Sequence, residues 1–572
     1  MGFHIRKVSL AIGALLLASC ARNEMETTAD AQLEPGATAA QESDEASIVV
    51  TGSLAVTGSR VRKANENYDS MSLPAPPPPP VMAVPMMGWS PPYHDQGRDK
   101  FTAVAQNAFK LVREEPVSTF SIDVDTASYS WVRASLNQNV MPQPAAVRTE
   151  EMVNYFTYDY ARPASAAEPF RSNVTVMPSP WSPGRKLVRI GIKGYEVQRS
   201  TRPRANLVFL IDTSGSMQEP NKLPLVKRSL SMLLDQLAPS DTVSIVTYAG
   251  YAGTALEQTP IRNKERIQAV IDQLGAGGST AGAEGIRQAY NLAKASFDPK
   301  GVNRVILATD GDFNVGITNL EELKGFVERE RDKGVFLSVL GYGMGNYNDA
   351  LMQTLAQNGN GVAAYIDTIA EARKTLVEEA SANLFTIAKD VKIQVEFNPA
   401  TVSEYRLIGY ETRVLNRDDF DNDKIDAGDV GSGQSVTALY EVTPVGGPRA
   451  IGDLRYAKPA AKLAALGGEL GFVKIRYKLP KSTVSRLIST PIDGRTAFRR
   501  FEDAPQDARF AVGVAAFAEM LRGGKHSGTL TYDDVLRIAL AAKGRDEFGY
   551  RSEFAQLVRA AKSARTLASL GE

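Results

Sequence analysis

Five side chains at three places in the 572-residue chain offer hard oxygen: Asp212, Ser214 and Ser216 in the run Asp212-Thr213-Ser214-Gly215-Ser216, Thr280 after Gly278-Ser279, and Asp310 in Asp310-Gly311-Asp312. Carboxylates and hydroxyls suit Mg²⁺, with Mn²⁺ or Ca²⁺ as alternatives, and a set without nitrogen or sulfur is not one for zinc. The same residue types also cap helices and form turns, so their position decides what they can do.

Asp212 directly follows LVFLI (207–211), and Asp310 directly follows RVILAT (304–309), both apolar β-rich runs. Further runs of this kind are TVSIVTYA (242–249), VFLSVLG (335–341) and VAAYI (362–366). Between them Leu223, Val226, Leu230, Leu233 and Leu237 fall at helical spacing, with Pro224 near the first turn, and Thr280 opens a helix beginning Ala281-Gly282-Ala283. Strands alternating with amphipathic helices predict an α/β fold with a doubly wound parallel sheet, whose ligands bind beyond the carboxyl ends of the strands. The oxygen-bearing residues stand at such loops.

This combination resembles the von Willebrand factor type A domain, a Rossmann-like fold, and its metal-ion-dependent adhesion site. The resemblance implies that Ser214, Ser216 and Thr280 ligate the ion directly through their hydroxyls. Asp212 and Asp310 would act mainly through water or by orienting those hydroxyls. It also implies a protein partner whose Asp or Glu completes the metal shell.

Composition narrows the alternatives. Lys plus Arg and Asp plus Glu each total 65, so the basic excess that nucleic-acid binding requires is missing. One cysteine, Cys20, and three histidines, His4, His94 and His526, cannot build thiolate metal cages or structural disulfides. Gly277-Gly278-Ser279-Thr280-Ala281 misses the nucleophile elbow at its last position, and no nucleophile has a base nearby in sequence. The chain is therefore expected not to be an enzyme, and no small-molecule substrate is expected. A structural or assembly factor of the envelope, in which the metal only stabilises the fold, is the alternative; a metal-dependent envelope hydrolase is the less favoured one.

Arg6 and Lys7 precede the apolar run Val8 to Leu17, which ends in Leu17-Ala18-Ser19-Cys20. That is a secretory signal rather than a membrane span, and its end resembles the lipobox of bacterial lipoproteins. The reading is a signal peptide at 1–19, lipidation of Cys20, and a disordered Pro-rich linker over 20–100 containing Pro76-Pro77-Pro78-Pro79-Pro80. Ala21 after the cysteine is similar to lipoproteins sent to the outer membrane. The expected place is thus the bacterial cell envelope, lipid-anchored.

Residues 101–203 read as a flanking region with helices and strands, 204–380 as the type A domain, 385–500 as a β-sandwich region and 505–572 as a C-terminal helical region. The segments VSTFSIDVDTASYSWVRASLNQ and AAVRTEEMVNYFTYDY look like a bacterial family of envelope lipoproteins. In that family the type A domain lies between an N-terminal region and a C-terminal domain of unknown function. Strand-like runs on both sides of the type A domain, such as KLVRIGIKGYEV and DVKIQVEFN, predict one β-sandwich into which the type A domain is inserted. The acidic run Asp419, Asp421, Asp423, Asp426 and Asp429 has Lys424 where a calcium loop needs glycine, and reads as a solvated turn.

Overall fold

The computed structural model describes residues 100–572 apart from 123–124, 280–281, 312–319, 345–346, 426, 453–467 and 572. The signal peptide, Cys20 and the linker up to residue 99 lie outside the described residues, as does Thr280.

Five of the six strands of the type A sheet are parallel, in the order Ala363–Ile366, Val335–Tyr342, Val302–Thr309, Ala205–Asp212 and Thr242–Tyr248. They are apolar almost throughout because helices cover both faces. Leu207, Phe209 and Ile211 face the helix Leu223–Leu234. Val208 and Leu210 face the helix Gly282–Ala295 through Ile286, Ala289 and Tyr290. A sixth strand, Ala252–Pro260, adds antiparallel to the edge. Its sequence carries little signal, since only Leu256 and Thr259 of its nine residues are buried.

The sandwich draws each of its sheets from both sides of this domain. One sheet runs Lys110–Leu111, Val402–Ile408, Ser435–Pro444, Lys186–Gly194, Phe170–Pro178; the other runs Val414–Leu415, Val117–Ser121, Thr386–Phe397, Glu469–Lys478, Ser485–Asp493. Phe120, Ile393 and Val473 of the second interlock with Val188, Tyr405 and Tyr440 of the first in one core. The type A domain enters after Lys186–Gly194 and leaves before Thr386–Phe397. Its two connections meet at Ser432, whose Oγ accepts from Val197 N at 2.8 Å and whose N donates to Phe385 O at 2.8 Å. Arg202 of the first connection also lies 5.5 Å from the ring centre of Phe385 in the second.

Three C-terminal helices, Gln506–Leu521, Tyr532–Ala541 and Tyr550–Gly571, pack with the helix Ala127–Asn137. Thr531 and Asp534 form the expected capping box, and Phe510, Phe517, Phe554 and Val558 are buried. The stretch from Ile369 is a broken helix: an α turn to Arg373, a π turn over Lys374–Glu378, then Ala380–Leu384. It is pinned by Arg133, which is 1% exposed. The Arg133 guanidinium donates from Nε to Asp367 at 2.9 Å, from Nη2 to Glu371 at 2.8 Å and from Nη1 to Glu553 at 3.1 Å. In the acidic turn, Asp421 and Asp423 pair with Arg476, and Asp426 lies outside the described residues.

Between sandwich and helices, buried Arg406 bonds Glu519 at 3.2 Å and Glu441 at 3.4 Å. His526 sits beside this group, its ring edge-on to Phe109 at 6.0 Å and its Nε2 buried without a partner among the described residues. Burial and neighbouring Arg406 push its pKa from 6.5 down to about 4. The unfolded chain then takes up a proton below pH 6.5 that the folded chain refuses, so stability falls as pH drops from 6.5 toward 4. The ring is half-buried, which limits this contribution to on the order of 1–2 kcal/mol. Urea unfolding above pH 6.5 and just above pH 4 should show a smaller acid loss in His526→Gln than in the parent chain. Equal losses would mean that His526 is not the group responsible.

Candidate functional site

Asp212 ends its strand in register with Tyr248 on the neighbouring strand, so two polar groups face each other where the sheet stops. Asp212 is fully buried. Its Oδ1 accepts from Ser214 N at 2.9 Å and its Oδ2 from the Thr309 hydroxyl at 3.3 Å, and the buried Tyr248 lies in register beside it. Burial raises its pKa to about 6 against these hydrogen bonds, and the charge of Asp310 adds to the rise.

The backbone turn after Asp212 brings the two serines together, with the Ser214 and Ser216 hydroxyls 3.0 Å apart. Two bonds stitch this turn to the loop that leads to Thr280: Gly215 N donates to Gly278 O at 3.0 Å and Gly277 N to Thr213 O at 2.8 Å. Gly278 takes a φ of +88° there, which favours glycine. Asp310 is 1% exposed at the end of the next strand. The structure thus brings Asp212, Ser214, Ser216 and Asp310 to one end of the sheet. Among the described residues no group of three or more His, Cys, Asp or Glu converges, so hydroxyls must supply further ligands for any cation here. The donor set that is present fits a hard divalent ion.

Lys222 was not anticipated. It is 4% exposed, and its Nζ donates to Asp310 Oδ2 at 3.0 Å and to Ser216 O at 2.9 Å. Its stem lies against Gly343, where a Cβ would come within 2.4 Å of Lys222 Cε. The available sequence signal was a lone lysine between the serine turn and the helix Leu223–Leu234. Thr309 was legible only as the last residue of its strand, and Tyr248 only as the next-to-last of the run 242–249.

Residues 206–379 match the family model described as von Willebrand factor type A domain, and residues 95–189 match one described as von Willebrand factor. The sheet is that of a type A domain, a class often used for metal-dependent adhesion and protein–protein interaction and generally not for catalysis. Residues 382–564 match the model for the C-terminal part of the uncharacterized protein YfbK. YfbK of Escherichia coli (strain K12) is 44% identical over 474 residues, covering 81% of each chain; the chain belongs to the YfbK family. A solved von Willebrand factor type A protein from Catenulispora acidiphila is 15% identical, with 68% of this chain and 89% of that chain covered and a TM-score of 0.40. The structure of proximal thread matrix protein 1 from the mussel byssus with zinc occupied MIDAS motif is 22% identical, covering 31% of this chain and 46% of that chain, with a TM-score of 0.26.

Proposed function

We propose that the chain is an envelope protein, anchored by lipid on Cys20, that grips a partner protein through a Mg²⁺-dependent adhesion site. The observation that carries this reading is the pair of hydroxyls of Ser214 and Ser216, 3.0 Å apart, in front of the two buried carboxylates Asp212 and Asp310. Ser214, Ser216 and, from the sequence, Thr280 would hold the ion, with Asp212 and Asp310 behind them. A divalent ion so held offers a Lewis-acidic position that a carboxylate from outside can complete. Asp212 fixes the turn through Ser214 N, while the Thr309 hydroxyl fixes Asp212. Lys222 holds Asp310 and the Ser216 carbonyl.

Mg²⁺ is preferred over Mn²⁺ or Ca²⁺ because the donors are few, hard and compact. Zinc is disfavoured because the site offers no nitrogen or sulfur donor. The deciding experiment is capture from envelope extract by the full chain in Mg²⁺ and in EDTA. A captured protein that elutes with EDTA supports the reading, and identical capture in both sinks it. Label from palmitate should enter the parent chain and not Cys20→Ser; equal incorporation excludes this anchor.

The buried Lys222–Asp310 pair speaks against a metal whose only task is to stabilise the fold, because the chain supplies a cation of its own. Lys222→Met leaves Asp310 buried beside Asp212 without that cation. The metal-free variant should lose about 3 kcal/mol, and the melting-temperature gap between EDTA and Mg²⁺ should widen relative to the parent. An unchanged gap would show that Lys222 does not act on the site.

A further inference from the structure

A cavity of about 1270 Å³ lies between the type A domain and the sandwich. Arg304 lines it, as the third residue of the strand Val302–Thr309 whose other end leads to Asp310. This position belongs to an apolar row. Ile306 and Ala308 follow on the same face in the core, and the cross-strand neighbours of Arg304 are Leu207 and Phe336.

Arg304 is 3% exposed. Among the described residues its one hydrogen bond runs from Nη1 to Ser338 Oγ at 2.6 Å, its guanidinium carbon lies 5.6 Å from the ring centre of Phe336, its Nε is buried without a partner, and no carboxylate forms an ion pair with it. The charge of Asp429, on the sandwich wall, acts on it, while the Asp429 carboxylate accepts from Asn360 Nδ2 and Asp390 N. A guanidinium carries five donors and a charge that is normally paired when buried. Burial accordingly pushes the Arg304 guanidinium down to about 10. Lys193, from the sandwich, lines the same cavity. Among the described residues its Nζ bonds Gly433 O at 2.5 Å and Ser435 Oγ at 3.2 Å.

Two cations without carboxylate partners among the described residues, in a cavity large enough for a small organic molecule, define a complementary ligand. We infer that this cavity binds a small anion, a carboxylate or a phosphate, which pairs with Arg304 and bridges the type A domain to the sandwich.

Isothermal titration of the full chain with inorganic phosphate and, separately, with acetate at constant ionic strength tests this. At least one should bind saturably and raise the melting temperature, and which one does so identifies the anion class. Loss of a charge-assisted bond should weaken that binding by about tenfold or more in Arg304→Met, and less in Arg304→Lys. Asp212→Asn should bind the anion like the parent, which separates this site from the adhesion site. No saturable binding of either anion, or parent-like binding by Arg304→Met, overturns the inference. If Arg304→Met fails to fold, Arg304→Lys and Lys193→Met take its place, and parent-like binding by both overturns it.

Discussion

Asp212→Asn is expected to stay folded and to lose the Mg²⁺-induced rise in melting temperature together with Mg²⁺-dependent capture of a partner. Asparagine keeps an acceptor for Ser214 N, now 2.9 Å from Asp212 Oδ1, so the turn carrying Ser214 and Ser216 persists. It removes one of two neighbouring buried carboxylates, whose mutual repulsion contributes to the pKa of about 6. Metal-free stability should therefore change by no more than about 1 kcal/mol. Capture in Mg²⁺ should fall by about a hundredfold, the upper range for residues that orient metal ligands. Melting curves with and without Mg²⁺, run beside the capture assay, check both halves. A variant that captures its partner as well as the parent would remove the metal from the proposed function.

Arg133→Met should give the largest loss of stability. The substitution leaves Asp367 and Glu371, 7% and 1% exposed at their side chains, buried without their guanidinium. Breaking a buried pair from one side costs about 3–5 kcal/mol. Tyr155, whose hydroxyl donates to Glu371 at 2.8 Å, cannot neutralise either charge. Glu553→Gln is the contrasting case. Its side chain is 34% exposed, and its removal should cost no more than about 1 kcal/mol. Urea unfolding of the two variants should differ accordingly; similar values would mean that the Arg133 cluster does not lock the type A domain to the flanking helices.

The sheet was legible because its strands are short, apolar on both faces and separated by helices with a clear stripe, as in Leu223, Val226, Leu230 and Leu233. The edge strand Ala252–Pro260 was not, since it is half exposed and lacks alternation. Insertion in the sandwich could be read from strand-like runs on both sides of the domain, but their pairing order could not, because neighbours such as Val402–Ile408 and Lys110–Leu111 are hundreds of residues apart. The π turn at Lys374–Glu378 comes just after the Arg133 contacts to Asp367 and Glu371, and no local pattern encodes either. At the candidate site the motif points to Asp212, Ser214, Ser216, Thr280 and Asp310, of which all but Thr280 lie among the described residues. Lys222 escaped because a lysine ahead of a helix is ordinarily solvated, and its burial depends on Gly343 leaving room from a distant loop.

The joint at Ser432, where the incoming and outgoing connections of the type A domain share one residue, has a mechanical consequence. A tug applied at the Asp212 end of the sheet reaches the sandwich through two adjacent chain crossings that bear the load in parallel, like the two legs of a sling. Each crossing is tied to the sandwich beside the other at Ser432, so tension from a gripped partner would be shared between them as it passes to the body of the protein.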